Sequence, residues 1–146
     1  MREPTAPKPG PVRHVIPFRL EPQAPIITVK VWVDDNGPFD FVVDTGASMT
    51  VISPRVAKRL DAPWAPARGP QSRAVAAAGS VEVTTTTVGR LRIGSFLAED
   101  VEVAVMGMKA LRAASKRRLD GIIGYNLLKD FRLIIDYPQG YLLLER

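Results

Sequence analysis

The sequence has 146 residues, of which 46% are hydrophobic and 24% charged, as expected for one ordinary folded domain. It holds no cysteine, which excludes disulfide scaffolds, cysteine-ligated zinc, iron–sulfur clusters and thiol nucleophiles. Its one histidine, His14, argues against a His-rich metal site or a Ser-His-Asp triad. Any chemistry must therefore rest on carboxylates, hydroxyls, backbone groups or basic side chains, and we expect no cofactor and no metal.

The net charge of +5 is a feature that nucleic-acid-binding proteins share. The basic residues cluster within 55–73 and 109–118, but neither group carries the repeated aromatic residues on which bases stack. We therefore interpret these residues as solvated faces and loops and expect no nucleic-acid partner. A nucleic-acid-binding β-barrel remains a distant alternative that rests on charge alone.

No apolar run approaches the roughly 18–20 residues that span a bilayer, and the first eleven residues lack the apolar core of a signal peptide. We expect a chain that is soluble as given; the sequence leaves its compartment open, cytoplasmic or periplasmic if a signal was removed. The proline-rich composition of residues 1–14 predicts a tail or linker, and 15–146 is predicted to form one domain.

The first half of the chain alternates short apolar runs with turn signals. Asn36-Gly37 between two such runs is a strong hairpin signal, and Ser53-Pro54 is typical of a helix start, with an N-cap followed by an N1 proline. In chain order the predicted elements are a peripheral strand at 15–20, strands at 27–33, 39–43 and 50–52, and a helix at 55–60.

The second half continues the β pattern. The predicted elements are a hairpin over 74–88 with its turn at Gly79-Ser80, strands at 91–93 and 101–105, a helical turn or mobile loop at 108–119, a helix at 125–129, and strands at 131–135 and 141–144. Many short strands with only one or two short helices predict a mostly-β fold, a closed or nearly closed barrel. There is no internal repeat, so each motif occurs once.

One acidic loop combines features that point to chemistry. Asp44 follows three apolar strand residues, and Gly46 permits a tight turn with backbone amides facing the acid. The tripeptide Asp-Thr-Gly alone would be interpreted as an Asx turn. The flanking Ala47 and Ser48, together with a later apolar-apolar-glycine segment just before a helix, favour a functional loop.

This combination resembles the retropepsin-like aspartic proteases of bacterial type, the single-domain branch of the pepsin clan, over most of the chain from Val15 onward. The resemblance implies a closed barrel of one acid-protease lobe, with Asp44 as the catalytic aspartate. It implies that Thr45 cross-links the two loops of an active pair and that Gly46 presents its amide to the acid. The other residues it implicates are Ala47 and Ser48 in the substrate channel, Ala76, Ala77, Ala78, Gly79 and Ser80 at a flap tip, and Ile122, Ile123 and Gly124 behind the loop.

Peptide hydrolysis without a metal needs one group to take a proton from water and another to protonate the carbonyl oxygen, and two carboxylates can do both. One acidic loop per chain therefore predicts a C2 homodimer in which two Asp44 side chains meet, acting on extended, largely apolar segments of a peptide or protein substrate. The alternative is a catalytically silent peptide-binding or assembly module on the same barrel. Consecutive leucines at 142–144 predict a terminal edge strand, covered either by a dimer sheet or by pairing within the monomer.

Two features depart from the family pattern. The proposed flap has no obvious tyrosine or tryptophan, and the basic segment Lys109 to Arg118 is long, which suggests a dimer-side or regulatory loop. The remaining candidates have structural interpretations: His14 as a solvated or interface residue, Gly89 and Gly94 as turn glycines, Asp34 and Asp35 in a hairpin turn, Glu99, Asp100 and Glu102 as surface charge, Asp136 as structural, and Trp32 and Trp64 in packing.

Overall fold

The structure of the protein is a computed structural model that describes residues 10–61, 72–76 and 79–146. Trp64 and the flap positions Ala77 and Ala78 lie outside the described residues. The strands are β1 (Arg13–Pro17), β2 (Arg19–Leu20), β3 (Ile27–Val33), β4 (Asn36–Val43), β5 (Val51–Ile52), β6 (Ser72–Ala76), β7 (Gly79–Ile93), β8 (Phe96–Val105), β9 (Gly121–Ile123), β10 (Arg132–Asp136) and β11 (Tyr141–Glu145). The helices are α1 (Pro54–Ala57), α2 (Lys109–Ser115) and α3 (Tyr125–Leu128).

The larger sheet closes into a barrel, as the sequence predicts. Strands β3, β4, β9, β5, β8 and β7 follow one another, and β7 pairs back onto β3 with Val31 opposite Ile93. Short strand β2 extends this sheet beside β3, and β6 extends it beside β7. The barrel encloses the apolar core, where Val31, Phe41, Ile52 and Leu91 are fully buried. The described residues form no helix that is long and apolar enough to cross a membrane.

The two ends of the chain form a separate three-stranded sheet in the order β1, β11, β10. We call it the terminal sheet. Strand β11 is its central strand, so the predicted edge strand is wrong, and of the two ways to cover the leucines the structure shows pairing within the monomer. Leu142 and Leu144 are buried because they face the barrel core. The predicted peripheral strand at 15–20 divides at Phe18, since β1 joins the terminal sheet and β2 joins the barrel.

The first hairpin forms as predicted, but its turn lies two residues earlier than Asn36-Gly37. Asp34 and Asp35 adopt positive φ values of 45° and 64° between β3 and β4, and Asn36 already pairs with Val33. The reason is the buried Asp34 carboxylate, which accepts hydrogen bonds from the backbone amides of Arg90 and Asp61, each at 2.9 Å. These bonds hold the turn at the aspartate pair.

The structure also corrects two other turn predictions. Gly79 and Ser80 are strand residues paired with Ala76 and Val75, so the prediction that they form the turn is wrong. Gly89 lies inside β7, where a β carbon would come within 3.2 Å of the Asp34 carboxylate, so the glycine allows a close approach and does not form a turn. Gly94, with φ of +55°, does lie in the turn before β8.

The helices are short, and α1 is capped as expected. The Ser53 hydroxyl accepts from the amide of Val56, and Pro54 begins α1. Helix α2 occupies the segment for which the sequence predicts a helical turn or a mobile loop. His14 is half-buried, with its Nδ1 atom 2.9 Å from the Ser95 hydroxyl and its ring packed near Phe96.

Candidate active site

The Asp44 loop joins two strands that are not neighbours in the sheet. It leaves β4 and enters β5, and β9 lies between them, parallel to β4 and antiparallel to β5. The loop must therefore pass over the end of β9. This topology brings the Asp-Thr-Gly segment and the Ile-Ile-Gly segment together although they are far apart in the sequence.

Backbone hydrogen bonds attach the loop to β9 and to the start of α3. The Asp44 amide donates to the carbonyl of Ile123 at 3.0 Å, and the Tyr125 amide donates to the carbonyl of Ala47 at 2.7 Å. Within the loop, the Gly46 amide donates to the Asp44 carboxylate at 2.9 Å. Both ends of the loop are thus held, and one amide faces the acid.

A polar pair that sequence reasoning missed supports the loop from below. Thr50 is fully buried, and its hydroxyl oxygen accepts from the Gly124 amide at 3.1 Å. The Thr50 amide donates to the side-chain oxygen of Asn126 at 2.7 Å, and the Asn126 side-chain nitrogen donates to the carbonyl of Glu102. Buried polar groups need such partners. No local pattern reveals them, because the partners come from separate strands and a helix.

Two glycines of the β9 region are required by close packing. A β carbon at Gly121 would overlap the Phe41 ring and the Val51 carbonyl. A β carbon at Gly124 would overlap the Met49 carbonyl group. Strand β9 can therefore insert between β4 and β5, with the residue after it against the loop, only because these positions have no side chain.

The chemistry-bearing part of the loop faces outward. Asp44, Thr45, Gly46 and Ser48 are exposed, and Ala47 is half-buried. Within the described residues, the Asp44 carboxylate accepts one hydrogen bond, from the Gly46 amide, and forms no ion pair. The Asp44 loop of a single chain therefore offers one accessible carboxylate, with its backbone fixed and its side chain open to a partner or a ligand.

The predicted flap is a hairpin of β6 and β7. Its last described pair is Ala76 with Gly79, next to Val75 with Ser80. The hairpin continues directly into the barrel, because β7 also pairs with β8 and β3.

A buried acid, Asp120, lies immediately before β9 and was also missed. Its carboxylate accepts from the Arg55 guanidinium at 2.7 and 3.2 Å, from Arg112 at 3.0 Å and from the Ser53 hydroxyl at 3.2 Å. Burial disfavours its charged form, but the hydrogen bonds from Arg55 and Ser53 and the charges of Arg55 and Arg112 favour it more. The pKa of the Asp120 carboxyl is therefore lowered. The same bond to Asp120 raises the pKa of Arg55.

Asp120 connects the segments on either side of the site. Its amide donates to the carbonyl of Asp40 in β4, and its carbonyl accepts from the amide of Ser53 after β5. The only sequence signal for it was its place two residues before the apolar-apolar-glycine segment. The other acids follow the sequence interpretation: Glu99, Asp100 and Glu102 are exposed, and Asp136 accepts from the amide of Gln139 in a turn.

A six-stranded barrel whose Asp-Thr-Gly loop rests on the inserted strand β9 and the glycine after it defines the retropepsin-like class of proteins. The family model described as gag-polyprotein putative aspartyl protease matches residues 29–130, and the chain belongs to this family. Among curated proteins, no significant match was found.

Solved structures show the same fold. A retropepsin-like aspartic protease from Rickettsia conorii is 19% identical, with a TM-score of 0.63 over 93% of this chain and 92% of that chain. The EIAV protease, complexed with the inhibitor HBY-793, is 22% identical, with a TM-score of 0.50 over 74% of this chain and 91% of that chain. The first likeness extends over nearly the whole chain, and the second over about three quarters of it.

Proposed function

We propose that the protein is an aspartic endopeptidase that works as a C2 homodimer. The observation that carries the proposal is the Asp44 loop: an exposed carboxylate on a backbone anchored to β9, once per chain, in a member of an aspartyl protease family. Its substrates are extended, largely apolar peptide segments that lie between the Asp44 loop and the flap hairpin.

The proposed reaction uses the two Asp44 carboxylates of a dimer. At about 3 Å separation they cannot both ionise, so they share one proton. The ionised carboxylate takes a proton from water, whose oxygen attacks the peptide carbonyl carbon, while the protonated carboxyl gives its proton to the carbonyl oxygen. Collapse of the tetrahedral intermediate breaks the C–N bond, and a proton passes to the leaving amine.

The remaining loop residues have supporting roles in this proposal. The Gly46 amide keeps a hydrogen bond on Asp44, and the exposed Thr45 hydroxyl is available to bond the partner loop. Ala47 and Ser48 line the substrate channel. Ile122, Ile123 and Gly124 hold the loop from behind, and Ala76, Ala77, Ala78, Gly79 and Ser80 form the flap tip.

An exposed apolar surface supports the proposal that a second copy of the chain binds. On the outer face of the terminal sheet Val15, Leu143 and Ile134 lie side by side, and Val15 and Ile134 are 56% and 40% exposed. Tyr125, which follows β9 and contacts the Asp44 loop through its amide, is 57% exposed. Apolar groups of this kind are stabilised when another protein covers them, and we propose that a second copy of this chain does so.

The test compares the wild-type protein with Asp44→Asn on an unfolded protein substrate between pH 4 and pH 7. We expect loss of cleavage in Asp44→Asn, because an amide can neither share the proton nor activate water. Asp130→Asn, an exposed substitution of the same kind, serves as the control and should cleave normally. Equal cleavage by the wild type and Asp44→Asn would refute the proposal.

The second candidate is a catalytically silent peptide-binding or assembly module, which the single Asp44 loop per chain favours if the chain stays monomeric. Sedimentation separates the two functions. A strict monomer at high protein concentration that binds unfolded peptides without cleaving them would establish the silent module, whereas a dimer that cleaves would exclude it.

A further inference from the structure

A basic cavity lies apart from the Asp44 loop, between the start of α1 and the start of α2. It has a volume of about 390 Å³, and none of its lining residues belongs to the loop or the flap hairpin. Its lining includes Pro54, Arg55, Gly107, Met108, Lys109 and Arg112.

The cavity carries an excess of positive charge. Three of its lining residues, Arg55, Lys109 and Arg112, are cationic, and none is acidic. The Arg55 and Arg112 guanidiniums share one carboxylate, Asp120, whose side chain is only 2% exposed. Within the described ranges, no ion pair involves Lys109. Two positive charges therefore remain without a partner acid at this surface.

Both guanidiniums are held in place and still have free donors. Arg55 uses its Nε and one Nη nitrogen on Asp120, and Arg112 uses its Nε on the carbonyl of Leu119 and one Nη nitrogen on Asp120. A guanidinium has five N–H donors, so each side chain keeps donors beyond these bonds. Both side chains are 37% exposed. Because Asp120 and Leu119 already order them, an incoming anion does not have to pay the full side-chain entropy.

We propose that this cavity binds the carboxylate side chains of an acidic peptide segment. Arginine matches the geometry of a carboxylate through paired N–H donors. Pro54 and Met108 give the cavity an apolar wall, against which the methylene groups of a glutamate pack. The site is separate from the Asp44 loop, so acidic segments bind whether or not the chain cleaves peptides.

The experiment uses the full chain and a capped pentapeptide with two glutamates, with its glutamine counterpart as the uncharged probe. Binding is measured by NMR titration of the backbone amides around Gly107. We expect the glutamate peptide to bind and the glutamine peptide to bind at least tenfold more weakly. Equal binding of the two peptides would overturn the proposal, as would binding of inorganic phosphate without any binding of the glutamate peptide.

Two variants test the location. Lys109→Glu reverses a charge at the cavity, and Gly107→Glu adds a carboxylate to its lining at a position where a β carbon meets no atom within 4 Å. Each should weaken binding of the glutamate peptide by about tenfold. Lys129→Glu, an exposed charge reversal outside the cavity, should leave binding of the glutamate peptide unchanged. Equal weakening by all three variants would mean that binding depends only on the net charge of the protein, and it would overturn the proposed site.

Asp44→Asn separates this inference from the proposed function. The variant should bind the glutamate peptide as the wild type does, even though it should not cleave. Loss of peptide binding in Asp44→Asn would mean that the glutamate peptide binds at the Asp44 loop, and it would refute binding in the cavity. Loss of cleavage with retained binding is the expected result.

Discussion

Gly124 lies against the backbone of Met49 so closely that a β carbon at position 124 would overlap the Met49 carbonyl group. The contact joins the residue between β9 and α3 to the loop that carries Asp44. The loop is therefore positioned by packing as well as by hydrogen bonds, and its geometry depends on the absence of a side chain at one position.

Gly124→Ala should destabilise the protein and displace the loop. We expect a loss of about 1–3 kcal/mol in the free energy of unfolding, as for other overpacked sites, together with reduced cleavage of an unfolded substrate. Urea denaturation measures the first effect. Gly107→Ala is the matched control, because its β carbon meets no atom within 4 Å. Equal stability of the two alanine variants would contradict the close contact.

Thr50→Val should weaken the same support without changing the shape of the side chain. The substitution leaves the buried Gly124 amide without its acceptor, at a cost of about 1–3 kcal/mol. Thr50→Ser keeps the hydroxyl and should recover most of that loss. Chemical denaturation of both variants provides the measurement, and a Thr50→Ser protein that is less stable than Thr50→Val would show that the hydroxyl does not matter.

Asp120→Asn should remove a stabilising term that depends on pH. Because the pKa of Asp120 is lowered in the folded state, its ionised form stabilises the protein above the usual aspartate pKa of about 3.9. That contribution is lost as the pH falls through the lowered value. At pH 7 we expect the variant to be about 1–3 kcal/mol less stable, since two arginines lose a charged acceptor.

The measurement for Asp120 is urea denaturation of the wild type and Asp120→Asn from pH 7 to pH 3. The gap between the two proteins should narrow at the acidic end. Asp130→Asn, at an exposed position, should show no comparable gap. A gap that stays constant over the whole range would contradict the role of the ionised carboxylate.

Ile134→Lys should weaken the proposed dimer. The residue is 40% exposed beside Leu143 on the outer face of the terminal sheet, and a lysine there would place a charge in the covered surface. Sedimentation should show a dimer dissociation constant raised by about tenfold or more. Leu97→Lys, at a 49% exposed position on β8, is the control. Unchanged association of Ile134→Lys would place the interface elsewhere.

The sequence predicted the parts of the fold that depend on local patterns. Alternation defines β3, and the Ser53-Pro54 pair predicts the start of α1. The closed barrel follows from many short strands, although the sequence does not reveal that β9 inserts between β4 and β5. That insertion is a long-range pairing, and strand order depends on which edges meet during folding.

The polar residues that hold the Asp44 loop in place could not be predicted from the sequence. Thr50, Asn126 and Asp120 carry no local signature, because each finds its partners on other elements. The Asn36-Gly37 turn prediction failed for a related reason: the Asp34 carboxylate bonds two amides distant in sequence, and these bonds outweigh the local turn preference.

The insertion of β9 also dictates when the site can exist. During synthesis, β4, the Asp44 loop and β5 leave the ribosome long before Gly121–Ile123, so the carbonyl that anchors Asp44 and the amide that meets Thr50 are not yet available. Contacts between such distant segments form late and slowly. A nascent chain therefore carries Asp44 on an unsupported loop. Most of the barrel strands have been synthesised before the backbone around Asp44 can adopt the geometry of the folded protein.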